Sequence, residues 1–152
     1  MLAILLDAGP LGLISNPQDT ESAVACREWA ITMHSPECTV YVPEIADYEV
    51  RRELLRARKF RGLQRLDKVK SDFEYLIITT ELMLRAAQLW ADARNAGVPT
   101  ADRHALDGDV ILCAQANILI DAGIDVVIAS DNAVHLSRFA PAARWQDIQF
   151  AP

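Results

Sequence analysis

Apolar positions along the chain fall into two rhythms: short unbroken runs, and longer stretches in which they recur every three or four residues. Leu2–Leu6 is an unbroken run closed by Asp7 and by Ala8-Gly9-Pro10, the signature of a buried strand stopped by a turn. A short helical stretch over Leu11–Ser15 follows. Between Thr20 and Met33, apolar Val24, Ala25, Trp29 and Ile31 mix with polar positions as in an amphipathic helix entered through Asp19 or Thr20. Thr39-Val40-Tyr41-Val42 is a β-branched and aromatic strand ended by Pro43. From Glu44 the pattern turns helical, with Ile45, Tyr48, Leu54 and Leu55 on an apolar side, and a second, basic helix near Arg61–Lys70 follows a break around Gly62. Tyr75–Ile78 is another buried strand. Leu82, Ala86, Leu89, Trp90 and Ala93 mark one face of a helix stopped by Gly97, and a polar loop runs from Pro99 to Leu106. Asp109–Ala122 is apolar on most sides, a central helix; Asp125–Ala129 gives one more strand and Trp145–Phe150 a short final one.

Strands that are apolar throughout and alternate with helices indicate an α/β fold, a parallel sheet covered on both faces. Such sheets bind ligands beyond the carboxyl ends of their strands. The residues to examine are therefore the polar ones that directly follow strands.

The composition narrows the class. With 152 residues, 51% of them apolar, residues 1–152 read as one domain large enough to bury a full core. No repeat or low-complexity tract interrupts it. The apolar N-terminus has no preceding Lys or Arg and is cut by Asp7 before a signal-peptide core or membrane span is complete, so a soluble, cytoplasmic protein without membrane association is expected. Cys26, Cys38 and Cys113 contain no CxxC pair and read as buried thiols; His34, His104 and His135 form no HxH or HExxH pattern. The net charge of −6 is unevenly spread. Between Arg51 and Lys70 stand nine Lys or Arg against Glu53 and Asp67, a local anion-binding face in an otherwise acidic chain, or else a solvated helix surface.

The acids are arranged more tellingly. Asp7 follows the first strand and Asp131 the late one, while Glu44 and Glu49 lie early in the helix after the Val40 strand and Asp107 and Asp109 at the start of the central helix. Four chain segments thus deliver carboxylates to one rim of the sheet. Each has an ordinary use: Asp7 as a helix cap, Asp107 or Asp109 as a helix-terminal charge, Asp131 in a turn, Glu49 beside Arg52, Glu53 beside Arg56 or Arg65. Together they repel and are best stabilised by a cation. With oxygen donors only, that cation is magnesium or manganese, which would generate a hydroxide and neutralise a phosphodiester.

At these residues the chain resembles the PIN-domain family, metal-dependent ribonucleases that include the VapC-type toxins of toxin–antitoxin pairs. The resemblance spans nearly the whole chain through LLDAGPLG, VPEIADYEVRREL, LDGDVILCAQA and VVIASDNAVHLSRF, in the family's order. It implies an α/β/α sandwich around about five parallel strands. It also implies catalytic acids at Asp7, Glu49, Asp109 and Asp131, with Glu44 the rival of Glu49 and Asp107 a further candidate metal ligand beside Asp7, Asp109 and Glu49. Ser130 stands where the family often has Thr or Ser, with Asn132 adjacent. Asp7, Asp109 and Glu49 would hold one or two metal ions while Asp131 orients the attacking water, and Arg51, Arg52, Arg56 and Arg58 would contact RNA phosphates. A homodimer and an antitoxin lying across the site are further implications. Two rivals stand beside this reading. A phospho-accepting receiver-like signalling domain calls for paired acids after the first strand and a late Lys, whereas the chain offers Asp7 alone and no Lys beyond Lys70. A non-catalytic interaction domain would use only the basic helices.

Overall fold

The computed structural model describes residues 1–97 and 103–150, with the side chains of 103–105 excluded. In chain order the elements are β1 (Leu2–Leu6), α1 (Ala8–Ile14), α2 (Glu21–Met33), β2 (Cys38–Pro43), α3 (Glu44–Arg56), α4 (Phe60–Asp72), β3 (Glu74–Leu76), α5 (Thr80–Asn95), α6 (Arg103–Asp121), β4 (Asp125–Ala129), α7 (Ala133–Leu136) and β5 (Ala142–Ala143). A 3-10 turn over Trp145–Asp147 follows. The strands form one parallel sheet in the order β3-β2-β1-β4-β5.

The unbroken apolar strands are explained by cover on both faces. Ile4 and Leu6 of β1 join Val40 and Val42 in a core with Leu11, Cys26, Ala30 and Leu66. Ala3 and Leu5 point the other way, into a core with Ile128, Leu112, Cys113 and Ala116. The period-2 alternation of the strand therefore divides its side chains between two helical layers.

Several boundaries differ from the sequence expectation, each for a packing reason. The first helix begins at Ala8 rather than Leu11, because Asp7 caps it and Pro10 occupies the first turn, where a missing N–H costs nothing. The break between the basic helices lies at Ala57–Lys59, not at Gly62. There the N–H of Lys59 bonds the Leu54 carbonyl (2.9 Å), that of Arg58 the Leu55 carbonyl (3.1 Å), and Arg58 takes a left-handed φ of 53°. Gly62 is instead buried within α4, where an added Cβ would come within 2.9 Å of Leu54 Cδ2; it lets α4 approach α3. The third strand ends at Leu76 rather than Ile78. The central helix starts at Arg103, since Leu106 and Val110 add a turn of packing against Leu82 and Ala86 of α5; residues 99–102 of the expected loop lie outside those described. The final strand is Ala142–Ala143, and Trp145 and Ile148 serve the core instead, Trp145 with its ring 5.7 Å from that of Trp29.

Candidate active site

The order in which the chain adds strands reverses between β1 and β4, so the crevice beyond their carboxyl ends is the switch point of the fold. Asp7 and Ser130 face each other there. Ser130 is fully buried, and its hydroxyl donates to Asp7 Oδ2 (2.6 Å) while accepting the Asn132 N–H (2.9 Å). The other carboxylate oxygen, Oδ1, accepts the Ala8 N–H (2.8 Å), and the Asp7 N–H donates to the Ala129 carbonyl (3.0 Å). Asp7 is thus a helix cap and a fixed acid at once.

Glu49 on α3 and Asp109 on α6 bring their charges to bear on Asp7 at this point. Burial raises the Glu49 carboxyl above its ordinary range, the charges of Asp7 and Asp109 raise it further, and Arg52 opposes them. Burial and Asp7 push Asp109 up to about 6, with His135 of α7 pulling the other way. Cys113, buried one turn beyond Asp109, is driven to about 12 by burial and by the same two aspartates, which leaves it an inert thiol. Asp131 comes in over Gly9, where a Cβ would lie 2.4 Å from Asp131 Oδ2, and Glu49 comes in over Gly108, where a Cβ would lie 3.1 Å from Glu49 Oε1. Two glycines therefore serve as the seats of two acids.

An oxygen-only donor set whose members repel one another suits a hard divalent cation. Among the described residues no three His, Cys, Asp or Glu side chains stand close enough to form a finished cage, so the acids make an open rim. From this rim a cleft of about 940 Å³ passes Gly9 and Glu49 and reaches Arg58 and Lys59 of the α3–α4 turn and Arg61 in the first turn of α4.

No family model matches the sequence, and no curated protein matches it. Solved structures do share its architecture. VapBC2 from Rickettsia felis, solved bound to a DNA fragment from its promoter, aligns at 14% identity over 94% of this chain and 98% of the other, with a TM-score of 0.68. VapBC-1 from nontypeable Haemophilus influenzae aligns at 13% identity over 97% and 100%, with a TM-score of 0.66. VapBC-5 from Mycobacterium tuberculosis, a member of a family of toxin–antitoxin systems, aligns at 18% over 93% and 96%, with a TM-score of 0.53. The fold is PIN-like.

On this PIN-like fold the expected residues separate into two sets. Asp7, Glu49, Asp109, Asp131 and Ser130 share the rim, with Asn132 supplying the N–H to Ser130. Glu44 lies apart, its Oε1 accepting the Ile78 N–H (3.4 Å) near the end of β3. Asp107 is exposed beside Met83 and Trp90 of α5, because residues two apart on a helix point in nearly opposite directions. The arginines divide likewise. Arg51 is bound to Asp47 Oδ1 (2.9 Å) and Asp67 Oδ1 (2.8 Å), Arg56 pairs with Glu53 (2.9 Å), and Arg52 lies 5.1 Å over the Tyr48 ring. Arg58 lines the cleft. Asp47, His135, Gly9 and Gly108 carry no site role in the sequence expectation, and Lys59 and Arg61 enter it only as members of the basic Arg51–Lys70 segment; the pattern Asp-Gly-Asp at 107–109 is the available signal for Gly108. No described helix is long and apolar enough to cross a membrane.

Proposed function

We propose that the protein is a magnesium- or manganese-dependent endoribonuclease acting as the toxin of a toxin–antitoxin pair. The observation that carries this reading is the set of mutually repelling carboxylates Asp7, Glu49 and Asp109, brought from three elements to the switch point and opening onto a cationic cleft. Asp7, Asp109 and Glu49 would hold the cation, with Glu44 and Asp107 too far round their helices to share in it. When bound, the cation supplies a low-pKa water and neutralises phosphate charge. Asp131 orients the attacking water across Gly9, Ser130 fixes the orientation of Asp7, and Arg58 at the far end of the cleft draws the RNA backbone toward the rim. An antitoxin segment covering the cleft, supported by the fold shared with the VapBC structures, and a homodimer complete the reading. The receiver-like alternative is disfavoured because receivers follow the strand order 2-1-3-4-5, whereas here the order is β3-β2-β1-β4-β5.

The test is cleavage of labelled single-stranded and structured RNAs with magnesium, manganese or EDTA. Metal-dependent cutting is expected, reduced on the order of a thousandfold in Asp7→Asn and Asp109→Asn, as loss of several kcal/mol of charge stabilisation implies. Failure of the folded protein to cut any RNA with either metal moves the non-catalytic interaction domain to the front.

A further inference from the structure

The cations of α3 and α4 differ in their engagement. On α3, Arg51 and Arg56 are held by the protein's own carboxylates. On α4, no salt bridge among the described residues engages Arg61 or Arg65. Lys68 is paired with Asp72 (2.7 Å), but both side chains are more than half exposed, so this pair is weak and a phosphate can compete for the lysine. Residues 61, 65 and 68 fall on one stripe of the helix, spaced i, i+4, i+7, with buried Gly62, Leu66 and Val69 on the adjoining face.

Three depressions meet along this stripe. The cleft from the acid rim ends at Pro17 and Arg61; a second hollow of about 240 Å³ is lined by Pro17, Arg61, Gln64, Arg65 and Lys68. A third, of about 550 Å³, begins at Arg65 and Lys68 and has Ile31, Val69 and Phe73 among its apolar walls. Pro17 and Arg61 border the first two and Arg65 and Lys68 the last two, so the three adjoin end to end as a groove along α4. Its floor at the far end includes Phe73, set edge-on to His34 with ring centroids 5.3 Å apart.

We propose that this groove is the track for a single-stranded flank of the RNA, its phosphates meeting Arg61, Arg65 and Lys68 and a base resting on the apolar wall at Phe73. This rests on the ribonuclease reading, and it moves the main phosphate contacts from α3 to α4. Cations in a row beside an apolar platform suit a single strand, which offers phosphates and unstacked bases together, better than a duplex, whose bases are sequestered. Arg61 to Lys68 spans about 10 Å of helix axis, enough for roughly two or three nucleotides beyond the cleft.

The experiment measures binding of fluorescein-labelled 5-nucleotide and 16-nucleotide single-stranded RNAs by anisotropy in EDTA, across a salt series. The proteins are wild type, Arg61→Gln/Arg65→Gln/Lys68→Gln, the charge-preserving Arg61→Lys/Arg65→Lys, and Arg94→Gln, whose cation lies over Trp90 on α5. Wild type is expected to bind the 16-mer at least tenfold more tightly than the 5-mer. The triple Gln variant should lose that advantage, with its log–log salt slope shallower by about 2. The Lys variant should keep most of the advantage and Arg94→Gln all of it. A triple variant that melts like wild type yet binds the 16-mer within twofold of it overturns the track, as does equal loss for both lengths. Cleavage with magnesium or manganese separates the two readings: cutting that survives with unchanged length preference sinks the track alone, whereas length-dependent binding without any cutting sinks the nuclease alone.

Discussion

Asp47 and Glu49 stand two residues apart on α3, and the protein treats them in opposite ways. Asp47, only 5% exposed, is satisfied from two sides: Arg51 donates to Oδ1 and the Tyr75 hydroxyl to Oδ2 (2.9 Å). Burial and that carboxylate together push the Tyr75 phenol well above its ordinary range, and the pairing with Asp67 and Asp47 raises the Arg51 guanidinium against the effect of its own burial. The result ties α3 to α4 and to β3. Glu49 faces Asp7 and Asp109 instead, with Arg52 as its counterweight. The fold thus pairs a buried acid with a guanidinium and a phenol at Asp47, while at the switch point Glu49, Asp7 and Asp109 bear on one another as like charges. Concentrating unfavourable charge in one place is what a cation-binding site needs in its empty state.

The sharpest way to break the comparison is to remove one acid from each region. Asp47→Ala leaves Arg51 and Tyr75 without a buried partner and is expected to cost about 2–3 kcal/mol of unfolding free energy. Asp109→Asn relieves repulsion and should be neutral or stabilising by up to about 1 kcal/mol. Urea denaturation of both variants checks this. Equal destabilisation would mean that the rim acids are structural and that the contrast is false.

Next in size is the response to pH and metal. Asp109 has a folded-state pKa of about 6 against an ordinary 3.8, so folding favours its protonated form. Its contribution to stability is fully present below about pH 4 and is lost as the pH rises through about 6. After allowance for solvent screening this amounts to on the order of 1–2 kcal/mol. Glu49, raised in the same direction, adds to the trend. Thermal melts in EDTA between pH 4.5 and 7.5 should show wild type losing ground to Asp109→Asn across that window. Magnesium or manganese should restore wild type at pH 7.5 far more than at pH 5, and should do little for the variant. A metal response identical in both proteins would place the cation elsewhere.

How much of this was legible in the sequence depends on whether the signal was local. Leu2–Leu6 and Asp125–Ala129 were readable to the residue because strands buried on both faces need no partner to declare themselves. Asp7 and Asp131 followed from those strand ends. The choices between Glu44 and Glu49, and between Asp107 and Asp109, were not readable. Each depends on the rotation of a helix set by distant packing: Leu106 and Val110 against α5 turn Asp109 toward the rim and Asp107 away. The fate of the arginines was hidden for a similar reason, since Asp67, which helps to hold Arg51, lies sixteen residues away on another helix. Trp145 misled as a strand former because an aromatic anchor of the core and a strand residue carry the same hydropathy.

The smallest expected effects come from the glycine seats, and they separate site geometry from stability most cleanly. Gly9 and Gly108 both lie within helices, where alanine is ordinarily better by about 0.5–1 kcal/mol. An added Cβ at 108 would stand 3.1 Å from Glu49 Oε1, tight enough to push the end of a flexible side chain back by a few tenths of an ångström; at 9 it would stand 2.4 Å from Asp131 Oδ2 and force a larger retreat. Neither clash is with backbone, so the fold can absorb it while the acids cannot stay in place. Gly108→Ala should therefore hold or raise the melting temperature and lower cleavage about three- to tenfold; Gly9→Ala should lower it about tenfold or somewhat more, as displacement of a reacting group predicts. The comparison within the pair matters as much as either value. If Gly9→Ala loses activity and Gly108→Ala keeps all of it at unchanged stability, the position of Glu49 is not what the chemistry requires, and Glu44 becomes the acid of α3 to replace next.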